Sequence, residues 1–559
     1  MPRVIINEID RTQYNITTNE SDNIVYVPGS AIKGPIDKPY LCKSLTDFTN
    51  LFGDVGTNPD ELTLSSWEFA SNLLLSGFPV LFRRIVGTYN SADDTYSLSD
   101  KASYKFTDGN DPAATQFTAT AVLPGSLGNN IELVLSKTYT IESNAVTTAG
   151  YFRITVSDKF DETTARNYTS DTFEIGTTDT DLFDAVKAFI LTIDDPDVKF
   201  TVETSFAIYD TWFDTPTDLV GGTDPTAASI MAWLGSNQAA NAKDLFGELA
   251  DKDLYDIKFA TLGGMFASAT STEEQNAVKE LVRVISEDRR DCLAVLDLPY
   301  TLDKDGDTDE VITYFNFLNE FDPTEGSSYA CAYDPWFYFR VPLITKINDT
   351  DGKPVQSIGN KLVSGSFIFL FELAKSLKNG NPIWLPPAGV NRGLVPEAVD
   401  AYFEVGSVRA EVWSDADRKV NPIRKIRNYG YAIFGQKTLY AVTSPNTTSA
   451  FQDLSVRIIA NEIKRKIRDI SISLTFENNN LKTWNEFRAG LDPYLTSMAA
   501  DGALDNYKII MDSTTTTEGD INTNTVRGTV IVQIARAAEN FNIDFIVTNS
   551  TAEFNESYV

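Results

Sequence analysis

The sequence predicts an α+β multidomain protein, and three observations carry that prediction. Residues 88–224 are Thr/Ser-rich and alternate polar with apolar positions, as in "FRITVSD" and "KFTVETSFAIYDTWF". That period is the signature of antiparallel strands with one wet face. Residues 256–299 read strand, helix, strand, the pattern of an α/β (βαβ) unit and its parallel sheet. Both ends carry strand-like runs, "RVIINEI" and "TVIVQIARAAENFNIDFIVTN". A chain of 559 residues also exceeds what one hydrophobic core can organise.

Taken in order, the first run is followed by "RTQYNITTNESDN" (residues 11–23), polar and without a period, which reads as a linker able to span up to about 43 Å. A second strand, "IVYVPGSAIKGPI", starts at Ile24 and is punctuated by two Pro/Gly turns. "SLTDFTNLFG" predicts a short helix capped by Ser44 or Thr46, and residues 62–76 predict a longer one before the strand "FPVLFRRI". The alternating segment 88–224 holds 23 acids and 8 bases, a net charge of −15, which suits an exposed outer module. "DIKFATLGG" is then a strand, Ser271 and Glu274 form a capping-box pattern, and Val278, Leu281, Val282 and Ile285 give the helix one apolar face. "CLAVLDLP" is the second strand of the unit, with no phosphate-binding glycine pattern after either strand.

Composition excludes several classes of function. The chain has no histidine, which removes Ser-His-Asp and Cys-His catalysis and every zinc site that needs imidazole. Net charge is −31, from 78 acids against 47 bases, so nucleic acid and anionic membranes are not expected partners. Cys42, Cys292 and Cys331 have neither metal-ligand nor disulfide spacing and read as buried thiols made in a reducing compartment. The longest apolar run, "SGSFIFLFELA", is short and interrupted by Glu372, and "MPRVIINEID" has no basic, then apolar, leader pattern. Neither membrane insertion nor a secretory signal is expected.

Candidate chemistry is sparse. "DKDGDTDEVITY" (residues 303–314) resembles a calcium loop, but its sixth and twelfth positions hold Thr308 and Tyr314 where Gly and a bidentate Glu are required. It reads as an acidic surface loop. A carboxylate pair for glycosidase-type work is available on paper among 78 acids, yet no spacing singles one out. Catalytic residues, cofactors and metals are therefore all predicted to be none.

The helix "SVRIIANEIKRKIRDI" (residues 455–470) says more. Val456, Ile459, Ile463, Ile467 and Ile470 form an apolar face, and Arg457, Lys464 and Arg468 line up beside it at spacings of seven and four. With five bases and two acids in an acidic protein, the segment reads either as a solvated helix face or as a docking surface for an acidic partner. The terminal strands raise a parallel question, because a lone strand must be ordered without an internal partner. Val4, Ile5, Ile6 and Ile9 at one end and Phe541, Ile543, Phe545 and Val547 at the other are candidates for strand exchange with another copy. Closure within their own sheet is the alternative.

Several stretches, in this order, resemble contractile bacteriophage tail sheath proteins over nearly the whole chain. They are "VIINEIDRTQ", "VPGSAIKGPIDKPYLCKSLTDFTNLFG", "PGSLGNNIELVL", "LVGGTD", "SSYACAYDPWFYF", "IWLPPAGVNRG", "VNPIRKIRNYGYAIFGQKTL" and "FENNNLKTWNEFRAGLDPYLTSMAADGALDNYKIIMD". The chain departs from the family pattern at "ELAKSLKNGNP", where an Arg-Asp pair is usual, and at "NYG" in place of "GRG".

The resemblance implies a structural subunit that polymerises with itself as stacked hexameric rings, a helical sheath around a tail tube, and contracts to drive the tube through the host envelope. Implied partners are the tail tube, baseplate and tail terminator proteins; the implied location is the virion tail, after assembly in the host cytoplasm. Arg457, Lys464 and Arg468 become candidates to face the tube. Alternatives are the sheath of a headless injector (tailocin or secretion-like) and a carbohydrate-active enzyme built on the β module. The expected architecture is an N-terminal arm (1–23), a discontinuous α+β inner domain (24–87 with 396–540), an inserted acidic antiparallel β domain (88–224), an α/β domain (225–395) and a C-terminal arm (541–559).

Overall fold

The structure, a computed structural model, describes residues 23–53, 62–90, 95–98, 100–107, 115–159, 165–203, 206–235, 246–302, 308–321, 326–340, 342–347, 354–358, 361–415, 417–441 and 449–539. Two compact units divide it, Met1–Asn461 and Glu462–Val559.

The first unit is organised by an eight-stranded sheet. Its order is Tyr40–Cys42, Val80–Arg84, Val25–Gly29, Phe259–Thr261, Leu293–Leu296, Ala330–Asp334, Asn421–Ile426, Gly430–Ile433. The six inner strands are mutually parallel, and a short antiparallel strand closes each edge. Strands such as "VYVPG", "LAVL" and "ACAYD" are buried at every position, because helices cover both faces and leave no wet side to select polar residues. Alternation then splits each strand between two cores. Ile24 and Tyr26 face the helices Ala227–Leu234 and Thr272–Arg283, whereas Val25 and Val27 face Leu45–Phe52, Ser66–Ser76 and Gly365–Lys378.

This sheet corrects the expected partition. The strands of the expected α/β domain, Phe259–Thr261 and Leu293–Leu296, share one sheet with residues 24–87, and Val25 pairs directly with Phe259. The physical reason is that a parallel strand buried on both faces needs hydrogen-bonding neighbours along its length. The first segment supplies those neighbours.

Caps explain the helix starts. Ser44 accepts from the Asp47 amide, and Ser65 with Glu68 forms a reciprocal capping box that begins its helix at Ser66, four residues later than the sequence suggested. At Ser271 the box is incomplete. Ser271 takes the Glu274 amide, but the Glu274 carboxylate accepts from the Ser268 amide instead of returning to Ser271.

Residues 100–220 contain a core of their own beneath two sheets, Arg166–Thr169/Phe152–Asp158/Ile131–Lys137/Thr217–Asp218 and Val198–Val202/Thr115–Ala121/Ser103–Thr107. All of their pairings are antiparallel. The helix Asp179–Thr192, capped by Thr178, was not anticipated; it packs Leu182, Val186 and Ile190 into that core. Three buried residues spaced by four are a helical signal hidden inside a segment dominated by period two.

Candidate assembly interface in the C-terminal unit

The second unit contains most of the helix Leu454–Ser473, whose residues from Glu462 onward belong to it. Leu481–Ala500 follows, then a hairpin of Leu504–Ile510 with Thr529–Ile534. Asn480 starts the second helix by accepting from the Lys482 and Thr483 amides. That helix buries Trp484, Phe487, Leu491, Leu495 and Met498.

The hairpin is the exposed half. Val530, Val532 and Ile534 are half-buried, while Thr529, Ile531 and Gln533 face water, with Ile531 52% exposed. Two strands make a ribbon with an unpaired outer edge on each side among the described residues, and a two-stranded ribbon is marginal alone. Tyr507 fastens it to the helix by hydrogen bonds with the Thr496 hydroxyl (2.7 Å) and to Asp492 Oδ1 (2.9 Å). The connection between the strands is tied by Arg527, which donates to Asp520 at 2.7 Å and holds its carboxyl near 2, while Thr517 caps the turn ahead of it.

The predicted site residues fare unevenly. Val4, Ile5, Ile6, Ile9, Phe541, Ile543, Phe545 and Val547 lie outside the described residues. The first strand of the closing run, Thr529–Ile534, pairs within the chain, with Leu504–Ile510. The basic stripe does not form one surface. Arg457 is fully buried, its guanidinium carbon 3.8 Å from the Phe451 ring centroid and 4.0 Å from that of Tyr329, and it donates to the Ser328 hydroxyl. Lys464 is exposed and Arg468 half-buried. Spacing placed the three on one side of a helix; it carried no information on which turns of that side are covered. The aromatic partners were the available signal, since a buried guanidinium stacks on rings. Lys466, passed over in the sequence, sits 5.8 Å from the Tyr494 ring centroid.

Comparisons with known proteins include this unit and extend beyond it. The phage tail sheath C-terminal domain family matches residues 446–548, which include both helices and the hairpin. The tail sheath protein of Enterobacteria phage T4 is 25% identical over 343 residues, 59% of this chain and 48% of that protein. The chain is similar to phage tail sheath proteins. The tail sheath protein of Vibrio phage KVP40 is 26% identical over 184 residues, 31% of this chain. The chain's matches thus span 48% and 25% of the lengths of these two sheath relatives. Tail sheath proteins are a structural, non-enzymatic family. Two solved sheath tail proteins share the fold across 92% of this chain: that of Desulfitobacterium hafniense at TM-score 0.51 and 13% identity, covering 97% of its chain, and that of Listeria innocua at 0.50 and 12%, covering 95%.

Proposed function

We propose that this chain is the sheath subunit of a contractile tail. It polymerises as stacked hexameric rings around a tail tube, between a baseplate and a terminator, and contracts to drive the tube through the host envelope for genome delivery. The observation that carries this reading is the coincidence of the family match at 446–548 with a hairpin whose edges are open among the described residues. Strands at residues 4–9 and 541–548 of other copies would complete that sheet. Each would add about four to six main-chain hydrogen bonds worth about 1 kcal/mol apiece. Contraction would then be a change of lattice driven by differential contact energy between two subunit arrangements, with no nucleotide consumed. Lys464 and Arg468 are the remaining tube-facing candidates.

Negative-stain microscopy of the purified chain tests the proposal. Striated cylinders or tubes are expected from the full chain, and their loss is expected when residues 541–559 are removed. Persistent monomers of the full chain under every assembly condition would overturn it.

A further inference from the structure

Residues 84, 124–129 and 222–224 meet at the base of the β module. Arg84, the last residue of Val80–Arg84 in the central sheet, is 2% exposed. Its Nε donates to Ala31 O at 2.8 Å, Nη1 to Gly34 O at 2.9 Å, and Nη2 to Ile32 O at 3.2 Å and Pro124 O at 3.0 Å. One side chain thus joins the loop after the central strand to the loop that opens the motif "PGSLGNN". That motif in turn grips the module's exit, "GGTD". Asn129 closes a two-way amide pair with the Gly222 backbone, 2.9 Å in each direction. Asp224 accepts from the Ser126 amide at 3.0 Å and from its hydroxyl.

Backbone contacts complete the seat. The Gly125 and Thr223 amides both donate to Asp100 O, and Ser103 and Val220 exchange amide bonds. Gly222 is required there, because a Cβ would lie 2.2 Å from Gly125 O. Burial of Arg84 without a contacting carboxylate draws its pKa down to about 10, with the nearby Asp224 charge opposing the fall. A guanidinium accepts such burial when its planar fork is used fully by acceptors.

We infer that Arg84 and the paired segments 124–129 and 222–224 form one clasp that fixes the β module's base to the central sheet, so that the module moves with the sheet as a lever and not as a tethered bead. The inference concerns the unassembled chain and does not rest on the sheath reading.

Trypsin cleavage after Lys101, whose Nζ donates to Val122 O beside the clasp, reports the seat directly. Two full-length variants are compared with the parent, Arg84→Met and the double variant Asn129→Ala/Asp224→Ala. Both should be cut at least about tenfold faster after Lys101 and exchange the Gly125 and Val220 amides faster, as expected of a seat that opens locally. The fluorescence of Trp212, buried in the module core, should stay unchanged. Should Arg84→Met fail to fold, the double variant decides alone, since its positions are exposed or half-buried. Parental cleavage and exchange rates in a folded double variant would overturn the clasp.

Discussion

Asp297 accepts two hydrogen bonds from Ser366, one from its amide at 2.9 Å and one from its hydroxyl at 2.5 Å. The carboxyl follows the strand Leu293–Leu296, and the serine lies in the first turn of the helix Gly365–Lys378. The pair ties a central strand to a helix of the second core. Burial raises the Asp297 pKa to about 6, against the two Ser366 bonds and one from Ser364, which favour the charged form. In the folded chain Asp297 therefore holds a proton more tightly than it does unfolded. Its contribution to stability is present below the ordinary carboxylate pKa of 3.8 and is lost as pH rises through about 6. The gap corresponds to at most about 3 kcal/mol. Asp297→Asn should flatten the decline in unfolding free energy between pH 4.5 and 7, read by urea titration at both pH values. An unchanged slope would refute the assignment.

Gly365 sits where the same helix starts under the strand Ala330–Asp334. A Cβ there would lie 2.0 Å from Tyr333 O, a backbone atom that cannot rotate away. Gly365→Ala should cost about 1–3 kcal/mol in chemical denaturation. Gly380→Ala is a contrasting control: open space surrounds that position, and the penalty there comes only from its positive φ of 84°.

Arg457 and its former stripe partners should separate cleanly. Arg457→Ala removes a buried stack on Phe451 and Tyr329 and is expected to destabilise the chain by about 2–4 kcal/mol, seen as a lower denaturation midpoint. Lys464→Glu/Arg468→Glu, at an exposed and a half-buried position, should lower the midpoint less than Arg457→Ala does. If these two residues face the tube, the double variant loses assembly on tube while keeping its fold. Extended tails of normal length would remove them from that role.

Ile531 projects from the wet face of the terminal hairpin. Ile531→Lys should leave circular dichroism and thermal midpoint unchanged while lowering the yield of cylinders in negative stain. A fall in midpoint by several degrees would mean that the residue supports the chain's own core.

The fold was legible where one physical signal ruled. Pro/Gly punctuation and uninterrupted apolar runs located four of the six inner strands, because full burial leaves no polar alternative at "VYVPG" or "LAVL". Which strands pair was not legible: Val25 meets Phe259 across more than two hundred residues, and periodicity carries no information at that range. The helix Asp179–Thr192 was masked by its alternating surroundings. At the candidate interface, the spacing of Arg457, Lys464 and Arg468 fixed helix phase, but coverage of Arg457 comes from Tyr329, distant in sequence, and Phe451, one turn before the helix. Burial by remote segments decides such sites, and no local pattern encodes it.

The central sheet ends in strands of three and four residues, Tyr40–Cys42 and Gly430–Ile433, each turned antiparallel to its neighbour. Short, reversed margins offer little template for an incoming chain. In the assembly proposed for this chain, the central sheet would stay nearly inert toward other copies, and joining would fall to the small ribbon of Leu504–Ile510 and Thr529–Ile534. Errors in stacking should therefore cost a ribbon and spare the body of the subunit.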